Sequence, residues 1–216
     1  MYPPSAFREP NAELNLEFIE ACGLALLITH DSNGLQANPV PMLLSRNGSR
    51  ATLQGHLAKA NPQWHALAAG APALVVFNGP DAYVSPGYYP SKAQNPAVVP
   101  TWNYVSVQAR GTPEVFHDRD RLLALVTALT QRHEAPRACP WAVSDAPAAY
   151  LEGMLKAIVG FSIPIDHLEG KRKLSQNRTP VDQQGVIAAL AANSRPADQE
   201  LARAMAFPLP KPKEQL

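Results

Sequence analysis

Three stretches of this chain combine residue types that grip anions or flat rings. "QGHLAKANPQW" (54–64) sets His56, Lys59 and Asn61 just past a strand-like run and beside a helix start. Cations and amide donors there, backed by the free N–H groups of a helix, suit a phosphate; a solvated turn with a stray lysine would look the same. "VVPTWNYVSV" (98–107) packs Trp102, Asn103 and Tyr104 side by side. With Tyr88 and Tyr89 these could wall a heteroaromatic ring, while Asn103 and Gln108 read its polar edge. Dimer interfaces are enriched in the same aromatics, so that alternative stands beside the ligand reading. "GKRKLSQNR" (170–178) holds four cations and a Ser-Gln-Asn triplet, which would either clamp an anion or form an exposed basic loop.

Other chemistries lack their residues. No G-x-x-x-x-G-K-[ST], G-x-G-x-x-G, H-E-x-x-H or G-x-S-x-G pattern occurs. The six histidines form no i, i+4 pair, so no metal site is expected. Cys22 and Cys139 form no Cys-x-x-Cys pair and read as reduced thiols, and no catalytic residue is assigned. Net charge is +1, from 19 Lys+Arg against 18 Asp+Glu, which gives no broad field for nucleic acid or an anionic membrane. The segment after residue 180 carries uncharged or acidic residues where a DNA-recognition helix would carry Arg or Lys. No run approaches the ~18 apolar residues of a membrane span, and the N-terminus has no basic-then-apolar leader pattern. A cytoplasmic protein without membrane contact is expected.

The elements that position these stretches read as mainly β with peripheral helices (α+β). "GLALLITH", "LQANPVPMLLS" and "ATLQGH", joined by turns at Asn33-Gly34 and Asn47-Gly48, predict a three-stranded meander. A short helix capped by Asn61 follows, then strands at 73–79 and 82–85, a proline-rich ordered loop at 86–100, and the long strand 101–116. Helices are expected after caps at Asp118, Asp145 and Asp182, with one strand over 159–169. The 22 prolines fit many short strands and rigid corners. In all, six or seven antiparallel strands should form a small barrel over residues 1–180, with a helical segment at 181–207 and a flexible tail at 208–216.

Taken together and in order, "MYPPSAF", "GHLAKANPQW", "GPDAYVSP", "GYYPSK", "VVPTWNYVSV", "LKAIVGF", "EGKRKLSQNR" and "DQQGVIAAL" resemble the PaiB family of FMN-binding negative transcriptional regulators. The resemblance implies an FMN-binding split β-barrel, similar to the pyridoxamine 5′-phosphate oxidases, forming a homodimer with FMN at the subunit interface. It implies His56, Lys59 and Asn61 near the phosphate and Trp102, Asn103 and Tyr104 near the isoalloxazine. Lys173, Ser175, Gln176, Asn177 and Arg178 would then reach the same cofactor late in the chain. Three functions stay open: a regulator acting on DNA or through a regulatory protein partner, a flavin-dependent oxidoreductase using NAD(P)H, and a barrel without cofactor serving as a protein-interaction module.

Overall fold

The computed structural model describes residues 1–48 and 50–206. Its strands are β1 (Arg8–Glu9), β2 (Leu24–Asp31), β3 (Gly34–Pro41), β4 (Leu43–Asn47), β5 (Arg50–Ala58), β6 (Ala73–Val84), β7 (Thr101–Gly111), β8 (Glu114–Phe116), β9 (Ile158–Pro164) and β10 (His167–Lys173). The helices are α1 (Ala12–Cys22), α2 (Gln63–Ala68), α3 (Arg119–Glu134), α4 (Ala148–Lys156), α5 (Pro180–Ala192) and α6 (Pro196–Ala206). They form two compact units, and the chain passes between them within α1, β6, β7 and β10. The tail expected at 208–216 lies outside the described residues.

The first unit gathers Met1–Asn15, Asn78–Val107 and the chain from Glu169 onward. Its strands run in the order β1-β10-β7-β6, with β1 antiparallel to β10. Its core joins Ala82 and Val84 of β6 and Tyr89 to Val186, Leu190, Leu201, Ala202 and Met205 of α5 and α6. The proline-rich loop is ordered by two short 3-10 turns, Pro86–Tyr88 and Pro90–Ala93. Helix α5 lies against that loop because residue 185 is glycine: a Cβ there would stand 2.3 Å from the Tyr88 carbonyl oxygen. Asp182 ties the same helix to the loop, accepting from Ser91 N–H at 3.0 Å and Ser91 Oγ at 2.8 Å.

The second unit holds Leu16–Phe77 and Gln108–Leu168. Here the order β6-β2-β3 stands beside a four-stranded sheet, β4-β5-β9-β8. The expected meander is broken at Met42. Pro41 has no N–H to extend its ladder, and the next donor, Met42 N–H, goes to Gly23 O at 2.7 Å. The chain therefore leaves one sheet and enters the other, as strands do at sheet corners. Helix α3 packs Leu122, Leu125 and Leu129 on Phe116 and Leu155, and Asp118 caps it as expected by accepting from Arg121 N–H at 2.9 Å.

Four further expectations are revised. Residues 73–84 make one strand that continues through Pro80, where its burial alternation shifts by one: Ala73, Val75 and Phe77 are buried before it and Ala82 and Val84 after it. Residues 158–173 make two strands, β9 ending at Pro164 and β10 starting at His167, that join different sheets. Asp145 does not cap α4; its Oδ2 accepts from Ala142 N–H inside a preceding 3-10 turn. Thr179, not Asp182, caps α5, its Oγ1 accepting from Asp182 N–H at 3.3 Å.

Gln63, fully buried at the start of α2, went unnoticed in the sequence. Its Nε2 donates to Leu27 O at 3.0 Å and Thr29 Oγ1 at 3.2 Å, and its Oε1 accepts from Asn38 Nδ2 at 2.9 Å. One amide thus fastens a six-residue helix to β2 and β3. Gln63→Leu leaves those buried groups unpaired and is expected to lower stability by about 2–4 kcal/mol. Urea unfolding should show a lower midpoint with an unchanged slope.

Candidate functional site

In the first unit, alternation along β7 separates Asn103 from Trp102. Asn103 faces inward with Val105 and Val107, at 0% exposure, while Trp102 is 51% exposed. Asn103 Nδ2 donates to Ser175 Oγ at 2.8 Å and lies 3.7 Å from Met205 Sδ. Its Oδ1, equally buried, has no partner among the described residues. Ser175 is itself buried and takes φ 63°, the one positive value at a non-glycine among the described residues. That conformation costs roughly 1 kcal/mol at an L-residue.

The loop after β10 folds around this point. Gln176 spends its amide on its own turn, accepting from Leu174 N–H and donating to Arg172 O. Arg178 N–H donates to Ser175 O at 2.9 Å, and the Arg178 guanidinium lies 4.7 Å from the centre of the Tyr89 ring. Tyr89 is 2% exposed, and its hydroxyl has no partner among the described residues. Lys173 Nζ donates to Thr101 Oγ1. Burial pushes the Lys173 amine below the usual lysine range; Tyr104 partly restores it and Lys171 lowers it further.

These groups enclose a pocket of about 230 Å³ lined by Lys173, Arg178, Asn103, Ser175, Asn177 and Tyr89, among others. Asp182 is the carboxylate whose charge Arg178 feels. On the outer side of the strand Trp102 meets Tyr83 edge to face at 6.2 Å, and Lys171 lies 5.3 Å from the centre of the Tyr104 ring.

His56, Lys59 and Asn61 belong to the second unit. Lys59 lines a pocket of about 190 Å³ with His117, Arg119, Glu152 and Lys156. Its Nζ donates to Lys156 O at 3.3 Å. Arg119 is held by Glu152 and Asp120, and Glu152 also feels the charge of Lys156. His56, on β5, is half-buried with Nδ1 unpartnered, and desolvation pushes its pKa below the ordinary histidine value. Asn61 Oδ1 accepts from Gln63 N–H at 3.0 Å, and so is spent on the start of α2.

The eleven residues expected at one cofactor thus divide. Five of them (Asn103, Lys173, Ser175, Asn177 and Arg178) share one pocket in the first unit, Lys59 lines another in the second, and Trp102 and Tyr104 lie on the other side of β7. His117, Arg119 and Lys156, the neighbours of Lys59, carried no sequence signal because they sit 58 or more positions away from it in the chain.

The Mycobacterium smegmatis FAD and heme binding protein shares this fold at a TM-score of 0.59 with 22% identity, over 84% of this chain and 79% of that one. The flavocytochrome Anf3 of Azotobacter vinelandii matches at a TM-score of 0.55 with 16% identity, over 80% and 70%. The architecture is that of the flavin-binding split β-barrels. Residues 1–167 match the family described as "Putative FMN-binding domain", and the chain belongs to it. It is 32% identical to the Bacillus subtilis protease synthase and sporulation protein PAI 2 over 211 residues, 98% of this chain and 99% of that one, which bears out the PaiB resemblance. An uncharacterized Emericella nidulans protein is 33% identical over 87% of this chain and 89% of its own length. Among the described residues no helix is long and apolar enough to cross a membrane.

Ser175 gives a test of the strained loop. Ser175→Ala keeps the left-handed backbone and removes the acceptor from Asn103, so stability should fall by about 1–3 kcal/mol. Ser175→Gly loses the same bond but regains roughly 1 kcal/mol of backbone strain, and in urea it should unfold later than the alanine variant.

Proposed function

We propose that the chain is an FMN-dependent flavoprotein of the PaiB type whose second unit receives the cofactor's phosphate at Lys59. The observation that carries this is the composition of the Lys59 pocket. Lys59, Lys156 and Arg119 bring three positive charges and His117 an imidazole, against the single carboxylate of Glu152, and that carboxylate is committed to Arg119. A donor set with three cations against one carboxylate fits a dianionic phosphate. The segment also lies within residues 1–167, the part matched to the FMN-binding family.

The half-exposed Trp102, braced edge to face by Tyr83, offers a surface for the isoalloxazine ring. Bound FMN supplies reversible electron and hydride transfer at that ring. Tyr83, 47% exposed, extends this apolar surface, and we assign it to a homodimer contact, an arrangement in which an aromatic face serves subunit and ring together. His56, kept neutral by burial, adds no charge to this segment near neutral pH.

The regulatory role belongs to the same proposal and acts through the state of the flavin and a protein partner, because a net charge of +1 offers little to a DNA backbone. The oxidoreductase reading needs the same flavin and differs in requiring turnover with NAD(P)H.

FMN titration followed by quenching of flavin fluorescence tests the assignment. Lys59→Ala should weaken FMN binding by about tenfold, the loss expected for one charge-assisted contact. Trp102→Ala should leave bound FMN brighter, since an indole against the ring is the quencher. Unchanged affinity in Lys59→Ala would overturn the placement of the phosphate.

A further inference from the structure

The Lys59 pocket carries an anion of its own. Glu152 stands four residues before Lys156 on α4, a spacing that sets both side chains on one face of the helix. Both line the pocket with Arg119, the first residue of α3. Arg119 turns one edge of its guanidinium to the carboxylate: Nε donates to Glu152 Oε1 at 2.9 Å, and Nη2 donates to the same oxygen. Its remaining nitrogen, Nη1, donates to Asp120 Oδ1 at 2.7 Å. The hydrogen bonding from Arg119, then the charges of Arg119 and Lys156, hold the Glu152 carboxyl below the usual glutamate range. Glu152 is therefore ionised at neutral pH.

The Nε and Nη2 edge of an arginine is also the edge that takes a phosphate through two parallel N–H bonds. A phosphate entering this pocket meets that edge already occupied. In a volume of about 190 Å³ the two anions stand closer than the roughly 8–10 Å over which salt screens charges, so they oppose each other. The pair that must give way is an open one, with the Arg119 side chain 52% and the Glu152 side chain 38% exposed. Ion pairs so open to water hold weakly, and a phosphate monoester, with two charges and three acceptor oxygens, displaces one.

We propose that Glu152 is a built-in competitor for the phosphate site: binding exchanges its carboxylate for the phosphate on Arg119, and the competition sets how tightly the cofactor is held. The inference rests on the placement of the FMN phosphate at Lys59. Lys59 and Lys156 attract the phosphate, and Arg119 completes the grip once Glu152 releases it. A flavoprotein with such a competitor holds FMN exchangeably, as a protein that responds to the state or supply of flavin requires.

Flavin-fluorescence titrations of the full chain with FMN and with riboflavin test this in Glu152→Gln, Arg119→Met and the double variant. Glu152→Gln keeps the shape of the side chain and removes its charge, and should tighten FMN by about threefold to tenfold. Riboflavin, which has no phosphate, should bind within about twofold of wild type, and that affinity also reports that the variant is folded. In the Arg119→Met background the gain from Glu152→Gln should shrink to within about twofold, because the contested partner is gone. An equal gain in both backgrounds would overturn the exchange and leave simple repulsion. Unchanged or weaker FMN binding in Glu152→Gln, with Lys59→Ala still weakened, would overturn the role of Glu152 and leave the phosphate at Lys59. If the wild-type chain binds no FMN, the flavin reading fails by itself, and inorganic phosphate becomes the probe, followed by calorimetry. Tighter phosphate binding in Glu152→Gln would then support the competitor, and equal or absent binding in both proteins would overturn it too.

Discussion

Asn103 gives Nδ2 to Ser175 Oγ at 2.8 Å from a position with no exposed surface, and much of the first unit is arranged around that bond. It joins β7 to the loop that follows β10 across a separation of 72 residues. It holds Ser175 in a left-handed conformation that a serine would otherwise avoid. The turn that results brings Arg178 back over Tyr89 and starts α5 at Thr179, from which Val186 and Leu190 reach the core. A polar pair in a core is tolerated when it is satisfied and sets a unique arrangement. This one is half-satisfied, and the unfilled half lies at a pocket.

The second unit meets a similar constraint by full satisfaction. Gln63 is as buried as Asn103, yet both ends of its amide are spent within the fold. The contrast separates structure from function. A buried amide that answers all of its neighbours fastens elements together, whereas Asn103 leaves its oxygen without a partner among the described residues.

Much of this was legible in the sequence. Local signals held where they were chemically forced: a tight turn joins β2 and β3, though with Ser32 and Asn33 as its loop residues and Gly34 opening β3, Asp118 caps α3, and the alternation of Val105, Val107 and Ala109 marks the inner face of β7. They failed where a distant group decided the outcome. The break at Met42 depends on Gly23 O accepting its N–H, and the cap of α5 moved to Thr179 because Asp182 is drawn to Ser91. The motifs named the chemically active residues but not their grouping. The family resemblance put Lys59 and Lys173 at one cofactor, and in the fold each finds its own neighbours through contacts 97 and 72 residues away.

The central claim, that this barrel grips a flavin by its phosphate, is tested most directly by comparing FMN with riboflavin in equilibrium dialysis against the purified chain. The account predicts saturable FMN binding near one per chain, with riboflavin weaker by about tenfold or more, since the lost phosphate takes its charge-assisted contacts with it. Equal affinity for the two flavins, or no affinity for either, would contradict it.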